Sequence, residues 1–239
     1  MRALWLLALV ALAACSKAGA PANNAVNAAA PANAAAAAPA PNAKLAQIFT
    51  PDVIGSNVAF LETITGPAFR TEGADRTYKV GGCTIIVGAT GGKIDNIGID
   101  GYGGACSFPI AQYFAGGYDH PAPQLPTFGE LKQTFGGDYA ADCLKLCGNA
   151  AAPVVSLNYQ GSHADNFNNL YAAISVVDDP TLNAYQAWAD KLGAKYDDDV
   201  MEGGTGKMDD SLQDVAAQSF AALRPTVIRV GQNLPGQGS

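Results

Sequence analysis

The sequence has few charged residues and fewer basic than acidic ones. Charged residues make up 15% of the 239 positions, and 14 Lys and Arg face 21 Asp and Glu, for a formal net charge of −7. Nucleic-acid binding depends on basic side chains that release counterions from phosphates, so this deficit argues against a nucleic-acid partner. It argues equally against a polybasic protein held at a membrane surface by charge.

Several cofactor and catalytic signatures are also missing from the sequence. The glycine pairs at Gly81-Gly82, Gly91-Gly92 and Gly103-Gly104 form neither G-x-G-x-x-G nor a phosphate-binding P-loop, and they predict turns. There is no CxxCH haem attachment motif. We therefore predict no cofactor, no metal and no catalytic residue.

The N-terminus carries the clearest signal in the chain. Arg2 precedes an unbroken apolar run over residues 3–14, which is shorter than the ~20 residues that span a bilayer. Residues 1–14 therefore predict a signal peptide, and no later apolar run approaches ~18 residues. The run ends in Leu12-Ala13-Ala14-Cys15, which resembles the lipobox of bacterial lipoproteins. An ordinary secretory leader that happens to contain a cysteine is the alternative.

The lipobox resemblance implies a modified cysteine and a location. In lipoproteins the chain is cut before the cysteine, whose thiol and new amine carry acyl chains such as palmitate, so Cys15 is the predicted lipidation site. Two or three acyl chains anchor a protein stably, where one chain binds only marginally. Ser16 follows the cysteine in place of Asp, which favours the outer membrane with the protein facing the periplasm. The inner membrane and the cell surface remain alternatives.

The mature chain divides by composition into a tether, a domain and a tail. Residues 15–43 comprise the lipidated cysteine followed by a segment of Ala, Pro and Asn that offers nothing large enough to build a core, so it predicts a disordered spacer. Residues 44–230 predict a single folded domain. Residues 231–239 are rich in Gly, Pro and Gln and predict a loose tail.

The domain predicts an α+β fold with a mostly antiparallel sheet and short helices packed on one side. Apolar spacing predicts a helix over residues 56–65, and strands over 83–89 and 93–100 form a hairpin across Gly91-Gly92. Thr127 and Glu130 have the spacing of a capping box at the start of the next helix.

The second half of the domain is less regular in sequence. Residues 138–147 predict a helical turn or two, and 154–160 and 169–177 predict strands. Asp179 and Pro180 predict the cap and first turn of a helix that buries Leu182. A second helix is expected over 210–223, and residues 226–230 predict a last strand at an edge of the sheet.

The order of elements suggests two tandem helix-hairpin units, one near residues 56–100 and one near 127–177. In the first unit, a pattern is formed by Gly55 to Val58, Gly66-Pro67, Tyr78 to Val80 and Lys93 to Ile97. These residues resemble a small α/β module. That module occurs in the outer-membrane lipoprotein of the β-barrel assembly machinery and in its relative, the β-lactamase inhibitor protein. The resemblance covers residues 55–99. It implies non-catalytic protein binding through an exposed sheet face, although the second unit lacks Gly-Pro and extra helices follow it.

Four cysteines remain beyond Cys15, and an even number in an exported chain predicts two disulfides. Three pairings are possible, and Cys83–Cys106 with Cys143–Cys147 is favoured because each closes a short loop. In a regular helix the Cβ atoms of Cys143 and Cys147 would be ~6 Å apart, which is too far for a disulfide, so this segment must depart from a helix if they are bonded. A metal or redox role for Cys143 and Cys147 is the alternative.

The histidines and acidic residues offer no assembled site in the sequence. His120 and His163 lie in loop-like segments, and as a zinc pair they would lack a third ligand at helical spacing. Ser162, His163 and Asp165 are too close in sequence to converge as a catalytic triad. Asp197 to Asp199, Glu202, Asp209 and Asp210 predict a solvated loop, with a weak cation site as the alternative.

Together these observations predict a membrane-anchored envelope lipoprotein that binds another envelope protein without catalysis. The alternative is an exported enzyme, or a metal-handling or redox protein that uses Cys143 and Cys147.

Overall fold

The computed structural model describes residues 42–114, 125–143, 152–161, 168–196 and 210–236. These residues form an eight-stranded antiparallel sheet and five α-helices, the mixed α+β fold that the sequence predicts. Within them, no helix combines the length and apolar character needed to cross a membrane.

The elements follow one another in a simple order along the chain. The α-helices are α1 Ala43–Ile48, α2 Val58–Thr65, α3 Phe128–Phe135, α4 Asp179–Gly193 and α5 Asp210–Phe220. The strands are β1 Arg70–Glu72, β2 Asp75–Val80, β3 Cys83–Thr90, β4 Lys93–Asp100, β5 Asp138–Ala141, β6 Val154–Tyr159, β7 Asn169–Ser175 and β8 Val227–Gly231. Their order across the sheet is β1-β2-β3-β4-β8-β7-β6-β5.

The sheet consists of two similar halves joined by β8. In each half a short helix (α2 or α3) ends at a glycine with positive φ, Gly66 or Gly136, and a run of antiparallel strands follows. β8 pairs with the last strand of both halves: Ile228 lies opposite Ile99 of β4 and opposite Ala172 of β7. The last strand along the chain, β8, therefore connects the two halves.

All five helices bury side chains in a core on one face of the sheet. Because residues opposite each other on paired strands point to the same face, the strand register defines a continuous row across seven strands. No residue of this row is more than 2% exposed. The row consists of Tyr78, Ile85, Ile99, Ile228, Ala172, Leu157 and Tyr139.

A β-bulge explains an irregularity in the sequence of β4. Ile97 and Ile99 alternate as a strand should, but Ile94 is three positions before Ile97. The register between β3 and β4 shifts after Gly88, so that Asp95 is the extra residue and both Ile94 and Ile97 reach the core. Because side chains alternate along a strand, Asn96, directly before Ile97, points to the opposite face.

The best local signals in the sequence are confirmed. The hairpin of β3 and β4 turns at Gly91-Gly92, with Thr90 opposite Lys93. Thr127 and Glu130 form the predicted capping box, in which each side chain accepts a hydrogen bond from the other residue's backbone N–H.

Two predictions about strands are wrong. Residues 138–141 form strand β5 and not a helical turn, because Tyr139 and Ala141 alternate onto the core while Asp138 is exposed. β8 is a central strand and not an edge strand. Its sequence alternates like that of any half-buried strand, and alternation alone does not distinguish a central strand from an edge strand.

The start of α4 is displaced by one residue from the prediction. Asp178, and not Asp179, caps the helix, and its side chain accepts the Thr181 N–H at 2.9 Å. Thr181 therefore takes the buried position, while Leu182 is 41% exposed and does not join the core.

A glutamine closes the outer edge of β5. The Gln213 side chain, on α5, accepts the Tyr139 N–H at 2.7 Å and donates to the Tyr139 C=O at 3.0 Å. These are the two bonds that another strand would make. Gln213 thus satisfies a backbone N–H and a backbone C=O that would otherwise stay unpaired, because no further strand of the described residues follows β5 in the sheet.

We predict that Gln213→Ala lowers the free energy of unfolding by about 1–3 kcal/mol, because it leaves the Tyr139 N–H and C=O buried and unpaired. Gln218→Ala, an exposed glutamine on the same helix, is the control and changes stability little. Urea unfolding measures both. Equal effects of the two substitutions would show that the edge contact contributes nothing specific.

Tyr139 also predicts a pH dependence. Burial raises the pKa of its hydroxyl to about 12, and among the described residues the hydroxyl has no hydrogen-bond partner. A folded-state pKa above the unfolded value of about 10 gives stability that is present below pH 10 and lost as the pH rises toward 12. We expect Tyr139→Phe to be at least as stable as wild type at pH 7. Between pH 10 and 12 the variant should lose about 2 kcal/mol less, measured by urea unfolding at each pH. Parallel losses in the two proteins would contradict this prediction.

Candidate functional site

The face of the sheet opposite the helices is the candidate site, and we call it the open face. The register gives it a row next to the buried one, and this row combines polar, aromatic and small residues. The row consists of Thr77, Ile86, Gly98, Arg229, Tyr171, Asn158 and Asp138. Ile86 is half-buried and lies outside the core cluster.

A buried arginine on β8 organises the centre of the open face. Arg229 is 4% exposed, and its guanidinium donates from Nη1 and Nη2 to the two carboxylate oxygens of Asp75 at 2.9 and 2.6 Å. Nε and Nη2 also donate to the Asn96 Oδ1 at 3.0 and 2.5 Å. A bidentate ion pair of this kind fixes the guanidinium plane as well as its charge.

Glycines beneath these side chains let them lie flat on the sheet. A Cβ on Gly98 would meet the Ile228 carbonyl oxygen and would lie 2.7 Å from the Arg229 Cα. A Cβ on Gly88 would lie 2.8 Å from the Asn96 Oδ1. The small residues on β3 and β4 are therefore part of the construction of the polar cluster.

Tyr171 lies beside this cluster on β7, opposite Arg229. Burial raises the pKa of its hydroxyl, and the nearby Arg229 guanidinium partly opposes that rise. Tyr171 is therefore neutral at physiological pH and presents an aromatic ring with a hydrogen-bonding hydroxyl, a side chain suited to protein recognition.

The chain after β8 crosses the open face, within the segment 231–239 whose composition predicts a loose tail. The Gln232 N–H donates to the Asp95 C=O at 2.8 Å, and Asn96 Nδ2 donates to the carbonyls of Gln232 and Asn233 at 2.8 and 3.2 Å. Leu234 is 3% exposed although it is not part of the core beneath the helices. A Cβ on Gly236 would lie 3.6 Å from the Asn158 Oδ1 on β6. We call residues 232–236 the strap.

Of the predicted disulfides, Cys83–Cys106 is present, with an S–S distance of 2.06 Å. Cys83 is buried at the start of β3, and the bond ties the sheet to the loop after β4. The Cys143 sulfur is also in a disulfide, and in this state it offers no thiolate to a metal ion. Cys15 and Cys147 lie outside the described residues, so lipidation and the Cys143–Cys147 pairing stay predictions.

Most of the other candidate residues of the sequence fall in parts of the chain that the structure does not describe. His120, His163, Asp197 to Asp199, Glu202 and Asp209 lie outside the described residues, and Asp210 begins α5. Within the described part of the chain, no group of three or more His, Cys, Asp or Glu is arranged to hold a metal ion.

A small groove between α1 and α2 does not resemble a ligand site. Its volume is about 70 Å³, far below the 300–1,000 Å³ of typical small-molecule pockets. Its walls include Ile48, Val53 and Leu61, with the exposed ring of Phe60 at its rim.

The open face offers groups for hydrogen bonding and packing. The Arg229 guanidinium is engaged by Asp75 and Asn96, and the Asn96 amide donates to backbone carbonyls. Sequence reasoning missed Arg229, Asn96 and Tyr171. A charged residue between the apolar Ile228 and Val230 was the available signal, but it equally predicts an ordinary solvent-facing position.

The comparisons with known proteins give no further guidance. No family model, no curated protein and no solved structure matches this chain.

We predict that Gly98→Ala destabilises the protein by about 1–3 kcal/mol, because the added methyl group collides with β8 backbone and displaces Arg229. Gly193→Ala at the end of α4 is the control, since a Cβ there meets nothing within 4 Å, and it should be neutral or slightly stabilising. Urea unfolding compares the two. If Gly98→Ala is tolerated as well as Gly193→Ala, the close approach of β4 and β8 is not a constraint.

Proposed function

We propose that this chain is a membrane-anchored lipoprotein of the cell envelope, facing the periplasm, that binds another envelope protein through its open face and performs no catalysis. Acyl chains on Cys15 would hold it in the outer membrane, and residues 16–43 would separate the folded domain from the bilayer.

The one-sided arrangement of the core is the observation that carries this proposal. Helices cover one face of the sheet, while the other face carries half-buried side chains that take no part in the core. Ile86, Val227 and Tyr171 lie among polar neighbours there. Aromatic and apolar side chains set among polar neighbours are typical of protein–protein interfaces.

The resemblance to the assembly-machinery lipoprotein and the β-lactamase inhibitor protein supports the same use of the sheet. Its motif residues lie at the two ends of α2, on β2 and on β4, and the second half repeats the order of helix, glycine and antiparallel strands. On this proposal the two halves together present one binding surface.

The test is in-cell crosslinking followed by affinity capture of the tagged, lipidated protein from gently solubilised membranes. We expect Ile86→Lys on the open face to reduce the crosslinked partner at least fivefold, because a cation replaces an apolar contact near the centre of the interface. Leu182→Lys, at an exposed leucine of α4 on the helix side, is the matched control and should leave capture unchanged. Equal capture by both variants would place the partner elsewhere and overturn the use of the open face.

The same cells test the anchor. Cys15→Ser should leave the membrane fraction and accumulate as soluble or unprocessed protein, while wild type stays with the membrane after a high-salt wash. A Cys15→Ser chain that remains membrane-bound to the same extent would contradict the lipid anchor.

A further inference from the structure

We propose that the strap is an internal ligand of the open face, and that an extended segment of the partner binds by displacing it. This inference rests on the proposed function, since it describes how that same site is regulated.

The strap makes the contacts that a bound peptide would make. Asn96 donates to two successive backbone carbonyls, those of Gln232 and Asn233, and the Gln232 N–H is accepted by the Asp95 carbonyl. Leu234 supplies the one buried apolar side chain. Three of these four contacts involve backbone atoms of the strap, so another extended polypeptide of different sequence can replace them.

The receptor for the strap is held in place by the fold and not by the strap itself. Arg229 donates twice to the Asn96 Oδ1, which fixes the side-chain amide so that its Nδ2 faces the strap. Asp75 in turn fixes Arg229 by the bidentate ion pair. Displacing the strap therefore leaves a preorganised donor, and preorganisation lowers the cost of binding.

The strap overlaps the part of the open face that a partner would use. It begins beside Asn96 on β4 and reaches Asn158 on β6, so it crosses over β8 and β7. Asn158 stands in the same row as Arg229 and Tyr171. Strap and partner cannot both occupy this row.

The strap also leaves one hydrogen bond unmade. The Asn158 Oδ1 is buried and has no donor among the described residues, although Gly236 passes close to it. A partner segment that places an N–H at this position gains a bond that the strap lacks. Displacement then exchanges a weak internal ligand for a better one.

A peptide probe tests the strap without knowledge of the partner. The probe is a labelled synthetic peptide of residues 231–239, GQNLPGQGS, titrated into the full chain carrying Cys15→Ser, with or without Leu234→Ser. Leu234→Ser weakens the internal strap, so the peptide should bind this variant at least tenfold more tightly than the chain with Leu234, measured by NMR shifts. A control peptide with Ser at position 234 should not bind. Absence of binding, or equal binding to both chains, would overturn the strap as an internal ligand.

Crosslinking and capture then test the competition. We expect Leu234→Ser to raise the captured partner several-fold, and Leu182→Ser, at an exposed leucine of α4 outside the strap, to leave it unchanged. A second variant that ends at Gly231 should show the same gain.

Unchanged capture in both strap variants, with Ile86→Lys still reducing capture, would overturn the displacement and leave the proposed function standing. Capture that is insensitive to Ile86→Lys would overturn the proposed function, while the peptide result still decides whether the strap docks.

Discussion

The pairing of β8 with both β4 and β7 is the constraint on which the rest of the structure depends. Each half of the sheet is a local run of antiparallel strands, but the ends of the two runs meet only through these five residues. β8 comes after α4 and α5, so its pairing closes the longest loops in the fold, and long loop closure carries an entropic cost that local hairpins avoid. The buried Ile228 and Val230 repay it on the core side.

The same strand organises the open face. Because side chains alternate along a strand, Ile228 and Val230 enter the core while Arg229 between them must point the other way. A guanidinium buried on a sheet is tolerable only with its hydrogen bonds satisfied, and Asp75 and Asn96 provide them from β2 and β4. Fold and site are thus coupled. β8 joins the two halves of the sheet, and its Arg229 also fixes the Asn96 amide that donates hydrogen bonds to the strap.

Local elements could be predicted from this sequence, whereas their long-range arrangement could not. Gly91-Gly92 and the Thr127–Glu130 pair act within a few residues, so their structure follows from nearby sequence. The central position of β8 and the burial of Arg229 depend on partners more than a hundred positions away. The strand at Asp138–Ala141 is only four residues long and is stabilised by Gln213 of α5, so the alternation of Tyr139 and Ala141 is too short to distinguish a strand from a helical turn.

A β-sheet can recruit a protein partner at its two edges or on a face, and here the edges are protected. Gln213 occupies the backbone groups of Tyr139 at the β5 edge, while β1 is only three residues long and exposes the charged side chains of Arg70 and Glu72. Short, charged or covered edges resist the addition of a further strand. The helices cover one face, which is why the proposed partner site lies on the open face. On this proposal, recognition depends on side chains such as Tyr171 and Asn96, and not on continuation of the backbone ladder. The proposed partner is then selected by the pattern of its side chains and carbonyls, and it must bind more tightly than the strap in order to displace it.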